Sequence, residues 1–222
     1  MIGSNGLAGR VRPADGDPAG ALVLLHGRGA DENDLFPLLD ILDPERRLLG
    51  ATARGPLSLP PGGAHWYAVR AIGFPDPPTF HSTFPLLAGW IDDLLGEHGI
   101  THDRLVLGGF SQGTVMSYSV ALAQGRPPPA GIVGLSGFIP TVDDFSIDLA
   151  DRSGLRVAIG HGSADPVIGV EWGRDARDRL AGAGAEVVYE EHAGGHGIDP
   201  GFLGKLPAWV AETAGAHADG GR

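Results

Sequence analysis

A serine sits in the centre of the pentapeptide Gly109-Phe110-Ser111-Gln112-Gly113, just after the apolar run Leu105-Val106-Leu107 and just before a helix-like segment. A turn that passes so abruptly from strand to helix holds its central residue in a strained backbone conformation. Side chains two places before and after would collide, and glycine relieves that crowding. The hydroxyl is lifted clear of the strand end, with the amino end of the helix aimed at it. This G-x-S-x-G arrangement suits a serine nucleophile, and the chemistry it implies is acyl transfer. The bland alternative is a serine that merely caps a helix. Placement between "RLVLG" and an amphipathic segment favours the nucleophile.

A hydroxyl attacks poorly at neutral pH unless a base takes its proton. In strand–turn–helix sites of this kind the chain order is serine, acid, histidine. The histidines after Ser111 are His161, His192, His196 and His217. His217 lies in the tail, and His161, in "IGHGSADP", is expected in a structural turn. His192 and His196 both follow the last expected strand, in "YEEHAGGHGIDP". His196 has glycine on each side and is favoured as the base. His192 is the rival, read otherwise as a strand-end residue bonded to backbone.

The base needs a carboxylate to fix its tautomer and to stabilise the imidazolium. Asp165, in "HGSADPVI", follows an expected strand and so shares a sheet edge with Ser111 and His196. It is preferred over Asp143 and Asp144, which follow an earlier strand, over Asp175, inside an expected helix, and over Asp199, an expected helix cap. The developing oxyanion needs donors. The backbone N–H of Gln112 supplies one. The loop "LLHGRGADENDL" offers the other through the N–H of Arg28, with His26 holding the loop. No metal site is expected, because no second ligand stands at zinc-like spacing from His26.

The elements that must position these residues alternate. Strands are expected over 21–26, 48–53, 104–108, 131–135, 155–160 and 185–190. Helices are expected over 34–42, 85–98, 111–124, 171–183 and 200–213, with a long loop over 54–80. Runs such as "ALVLLH" are apolar on both faces, as in a sheet covered on two sides. Strands separated by helices imply right-handed crossovers and a mainly parallel, twisted sheet, with chemistry at its carboxyl edge. The fold class is therefore α/β. The 222 residues suffice for one domain, 1–213, followed by a flexible tail, 214–222.

Composition excludes several classes. There is no cysteine, hence no disulfide, thiolate metal site or cysteine nucleophile. A net charge of −11 argues against nucleic acid as a partner and disfavours anionic head groups. No run approaches the roughly 20 apolar residues of a membrane span. No signal peptide is evident in "MIGSNGLAGRVRPADG". A cytoplasmic protein without stable membrane insertion is the expectation.

"LLHGRGADENDL", "GGFSQG", "HGSADPVI" and "GHGI" occur in this order, over nearly the whole chain. Together they resemble the bacterial phospholipase/carboxylesterase family of α/β-hydrolases, which includes carboxylesterases and acyl-protein thioesterases. The resemblance implies an α/β-hydrolase fold with helices on both faces and no large lid, cleaving a small-molecule ester without a cofactor. Ser111, Asp165 and His196 match its nucleophile, acid and base, and Arg28 and Gln112 its oxyanion positions. It leaves room for a homodimer. Many relatives carry a small or aliphatic residue where this chain has Arg28, which puts substrate preference in question. Trp66, Phe74, Phe138, Val167 and Ile168 are the pocket candidates, with Tyr67, Phe80 and Ile139 beside them, and Phe110 is expected to pack beneath the elbow. The activity expected is that of a serine carboxylesterase on short- to medium-chain acyl esters. A thioesterase, a lysophospholipase or a catalytically silent binding protein are the alternatives.

Overall fold

In the computed structural model of the chain, residues 6–215 are described. One seven-stranded sheet organises them. Its strands are β1 (Gly9–Arg12), β2 (Gly20–Leu25), β3 (Leu48–Ala53), β4 (Leu105–Phe110), β5 (Gly131–Leu135), β6 (Arg156–Gly162) and β7 (Glu186–His192). In space they run β1-β3-β2-β4-β5-β6-β7. Only β1 is antiparallel to its neighbour; the pairs from β3 through β7 are parallel.

Alternate residues of each central strand serve opposite faces, which is why these strands read as unbroken apolar runs. Ala21, Val23 and Leu25 face a core shared with α2 (Pro77–Glu97), α3 (Gln112–Leu122) and α4 (Val170–Gly182). Leu22 and Leu24 face a second core with α1 (Leu38–Leu42), α5 (Pro200–Leu203) and α6 (Leu206–Gly215). Each fully buried aliphatic side chain contributes about 1.5–3 kcal/mol, so the two cores fix the strand register together. This is the α/β-hydrolase fold, with helices on both faces of a mainly parallel sheet.

Several boundaries differ from expectation for identifiable reasons. Helix α2 begins at Pro77 rather than residue 85, because Asp76 caps it by accepting from Thr79 N–H and Pro77 occupies the first helical position. Pro85 lies inside the helix, where burial of Phe80, Thr83 and Leu87 outweighs the lost donor. Helix α1 is short, since residues 31–36 form turns tied to the loop instead, as in the bond from Thr52 Oγ1 to the Glu32 carbonyl. The last helix divides into α5 and α6 at Gly204-Lys205. It runs to Gly215 and buries Ala214, so residues 214 and 215 of the expected tail belong to α6; residues 216–222 lie outside the described residues.

Strand β1 was not legible, because Arg10 and Arg12 obscure its pattern. Arg12 is nonetheless buried, donating to the carbonyls of Leu39, Asp43 and Leu48 and pairing with the Asp43 carboxylate. The long loop holds two small antiparallel hairpins, Leu57–Leu59 with Gly63–His65 and Val69–Ala71 with Phe74–Pro75.

Candidate active site

The carboxyl ends of β2, β4, β6 and β7 lie along one edge of the sheet, and each delivers one piece of the site. Strand β4 ends at Phe110 and α3 starts at Gln112, so Ser111 alone makes the turn, with φ 54° and ψ −119°. The two glycines are steric requirements. A Cβ on Gly109 would lie 2.3 Å from the Gly113 carbonyl carbon, and one on Gly113 would lie 1.8 Å from the Leu25 carbonyl oxygen. Thr114 braces the turn through its Oγ1, 2.6 Å from the Gly109 carbonyl and 2.8 Å from that of Leu135.

His196 comes from the loop after β7, a loop fastened to its surroundings from two sides. The Ala164 N–H donates to the Gly194 carbonyl, and Ser136 Oγ donates to that of Gly197. The imidazole rests 4.9 Å from the Phe110 ring. Its Nε2 lies 2.9 Å from Ser111 Oγ and its Nδ1 lies 2.7 Å from Asp165 Oδ2. The carboxylate can only accept, so the proton belongs on Nδ1, leaving Nε2 free to accept from the serine hydroxyl. The structure thus brings Ser111, His196 and Asp165 into one hydrogen-bonded line, whereas His192 turns its Nδ1 to the Gly194 N–H.

Asp165 sits after β6 in a turn that uses both of its oxygens. Oδ1 accepts from the amides of Val167 and Ile168, leaving Oδ2 to His196. Burial pushes the carboxyl up, but the bonds from His196 and from these amides outweigh it and hold Asp165 below its ordinary range. His161, expected in a turn, is instead the sixth residue of β6, fully buried. Its Nε2 donates to the Ile168 carbonyl at 2.8 Å, so it holds the far side of the Asp165 turn.

Loop 26–30 leaves β2 beside the serine. His26 holds it as a structural residue: Nδ1 donates to the Gly27 carbonyl and Nε2 accepts from the Gly55 N–H. Burial lowers the His26 pKa and favours the neutral ring these bonds require. The Gln112 N–H opens α3, where no earlier helical carbonyl accepts it. The Arg28 N–H donates to no group among the described residues.

A cavity of about 80 Å³ adjoins Ser111, walled by Tyr67, Val69, Ala71, Ile72, Phe138, Val167 and Ile168 together with Gln112 and Arg28. Phe138, Val167 and Ile168 of the five pocket candidates line it. Trp66 does not: it is fully buried under the loop, donating from Nε1 to the His26 carbonyl. Phe74 does not either: it is half exposed on its hairpin and meets Trp172 edge-on. Val69, Ala71 and Ile72 belong to the same long loop, from which the sequence suggests only aromatic residues as pocket candidates; nothing in their own pattern marks these aliphatic side chains as cavity wall. The side chain of Gln112 also went unread. Its Oε1 accepts from Trp66 N–H and its Nε2 donates to the Tyr67 carbonyl, strapping the pocket loop to the elbow.

Comparison with known proteins meets this geometry from outside. Residues 8–213 match the phospholipase/carboxylesterase family. Acyl-protein thioesterase 1 of Debaryomyces hansenii is 27% identical over 180 residues, 71% of this chain and 75% of that protein. The putative hydrolase MhqD of Bacillus subtilis is 28% identical over 192 residues, 86% of this chain and 92% of its own length. A carboxylesterase structure from Bacillus cereus superposes with a TM-score of 0.82 at 23% identity, covering 95% of this chain and 96% of that one. One from Mesorhizobium loti gives 0.79 at 24% identity, covering 92% and 94%. At those identities the two structures speak for the fold alone. The family match spans almost all of the described residues and all four edge segments that carry the site, and the chain belongs to the phospholipase/carboxylesterase family of hydrolases.

Proposed function

We propose that this protein is a serine carboxylesterase acting on short- to medium-chain acyl esters through an acyl-enzyme. The observation that carries the reading is the line Ser111–His196–Asp165, with contacts of 2.9 Å and 2.7 Å at a strained elbow. His196 Nε2 takes the Ser111 proton as Oγ attacks the acyl carbon. The amides of Gln112 and Arg28 receive the oxyanion, and neither has a competing acceptor among the described residues. The imidazolium, steadied by Asp165, returns the proton to the leaving alcohol. Water then takes the alcohol's place: it loses a proton to His196 as it attacks the acyl carbon, the bond to Ser111 Oγ breaks, and His196 returns the proton to Oγ as the acid leaves. The small apolar cavity favours a short acyl group.

Ser111→Ala should fold with an unchanged melting temperature, hydrolyse p-nitrophenyl acetate at under about a thousandth of the wild-type rate, and take no fluorophosphonate label. Full activity in that variant would overturn the assignment. A thioesterase reading is favoured by the relatives that bear the name acyl-protein thioesterase. Side-by-side kcat/KM values for butyryl oxygen esters and butyryl thioesters decide between the two.

A further inference from the structure

Arg28 has an unusual electrostatic situation. The chain carries 27 acidic residues against 16 basic ones. In such a chain a cation ordinarily finds an acceptor. Every other arginine among the described residues, and Lys205, places its charged head on a carboxylate, a carbonyl or an amide oxygen. Examples are Arg10 on Asn33, Arg54 on Asp31 and Glu32, Arg104 on the Gly99 carbonyl and Lys205 on Glu190. Among the described arginine and lysine side chains, Arg28 alone has neither an ion pair nor a hydrogen bond. Of the acids in its own loop, Asp31 and Glu32 pair with Arg54, Asp31 also accepts from Asn33, and Asp34, whose charge bears on His26, makes no ion pair with Arg28. Yet Arg28 lines the cavity that holds Ser111, and the other walls of that cavity are almost wholly apolar.

We infer that the Arg28 guanidinium is an anion-recognition site, and that the natural substrate carries a carboxylate or phosphate a few bonds from its scissile carbonyl. This rests on the hydrolytic reading and narrows it. The planar fork of arginine matches the paired oxygens of either group. Arg28 is itself exposed, so water screens such a pair in part, and the apolar cavity beside it lessens that screening only for the oxygens that reach inside. Since the amide of the same residue faces the reacting carbonyl in the proposed mechanism, charge recognition and bond cleavage are referenced to one loop. The global charge of −11 disfavours anions at a distance, but salt screens it beyond about 10 Å. Among the residues that line the cavity, Arg28 carries the one formal charge.

The test uses matched ester pairs on the whole protein. Mono-(p-nitrophenyl) adipate against p-nitrophenyl hexanoate places a carboxylate on the acyl side. The pair m-butyryloxybenzoate and phenyl butyrate places it on the leaving group. Butyryl-glycerophosphate against monobutyrin replaces carboxylate with phosphate. In at least one pair the wild type should favour the anionic member by about ten- to hundredfold in kcat/KM, the scale of a charged hydrogen bond. Arg28→Gln should bring that ratio close to one, and Arg28→Lys should keep part of it. Taking the ratio within a pair cancels any disturbance of the residue 28 amide, which acts on both members alike. A wild type without anionic preference in all three pairs, or a preference that survives Arg28→Gln, overturns the inference while leaving esterase activity standing. Failure to hydrolyse any of the six esters removes the hydrolytic reading, and the inference with it.

Discussion

Asp165 divides its work between its two oxygens, and the division is what makes His196 usable. Two backbone amides hold Oδ1, so the carboxylate cannot rotate away from the imidazole that Oδ2 meets. Asp165→Asn would put an amide NH₂ group or a carbonyl oxygen at that position. The Val167 and Ile168 amides need an acceptor, so they would select the Asn oxygen and leave the NH₂ facing His196. The imidazole would then carry its proton on Nε2, the wrong tautomer to receive the serine proton. The expected outcome is a loss of about 10⁴ in kcat, far out of proportion to the modest fall in melting temperature that loss of the ionised carboxylate brings. Stopped-flow and steady-state kinetics on a p-nitrophenyl ester, beside a thermal melt, check it. An equal loss of stability and activity would instead mark Asp165 as a structural residue.

At the scale of elements, the short strand β1 is fastened by one buried side chain rather than by an apolar stripe. Arg12 reaches from the strand to carbonyls within α1, just after it and at the start of β3, and it is the cation of Asp43. Asp43 is itself buried and also accepts from the Arg47 and Leu48 amides. Arg12→Met would keep much of the volume and remove the charge, leaving a buried carboxylate with amide donors but no cation. A cost of about 3–5 kcal/mol is expected, read as a lower urea midpoint at an unchanged slope. Adding Asp43→Leu to that variant should recover part of the loss, because the uncompensated charge goes with it. The site lies at the other end of the strands, so turnover per folded molecule should hold.

For the whole molecule, acid sensitivity follows from which carboxylates are held low. Burial pushes Asp92 up, but the Arg126 guanidinium, bound through both carboxylate oxygens, together with His102, brings it below its ordinary value. Asp165 shows the same balance. In each case the unfolded chain binds protons at a higher pH than the folded one. Their stabilisation is therefore complete above the unfolded value near 3.9 and is lost as pH falls through the folded value. Melting temperatures between about pH 6 and pH 2 should fall on the acid side, and Asp92→Asn should flatten that limb. A limb as steep in the variant as in the wild type would remove Asp92 from the account. Among the described residues no helix is long and apolar enough to cross a membrane.

The sequence by itself determined what local sterics and strand periodicity decide. The elbow at Ser111 needs glycine at 109 and 113 within one strand–turn–helix unit, and the apolar runs of β2, β4, β5 and β6 need cover on both faces. From these follow the parallel sheet, the shared edge and the residues that meet there. Only the tertiary structure decided what depends on contacts far along the chain. Trp66 and Phe74 are both aromatic residues of the same long loop. One went beneath the His26 turn and the other onto Trp172, while the aliphatic Val69 and Ile72 took the cavity wall. Strand β1 needed Asp43, 31 residues on, before its arginine made sense in a buried place. The lack of a partner for Arg28 likewise depends on where the acids around it lie, and residue type alone carries no such information, since pairing is settled by packing and not by the side chain itself.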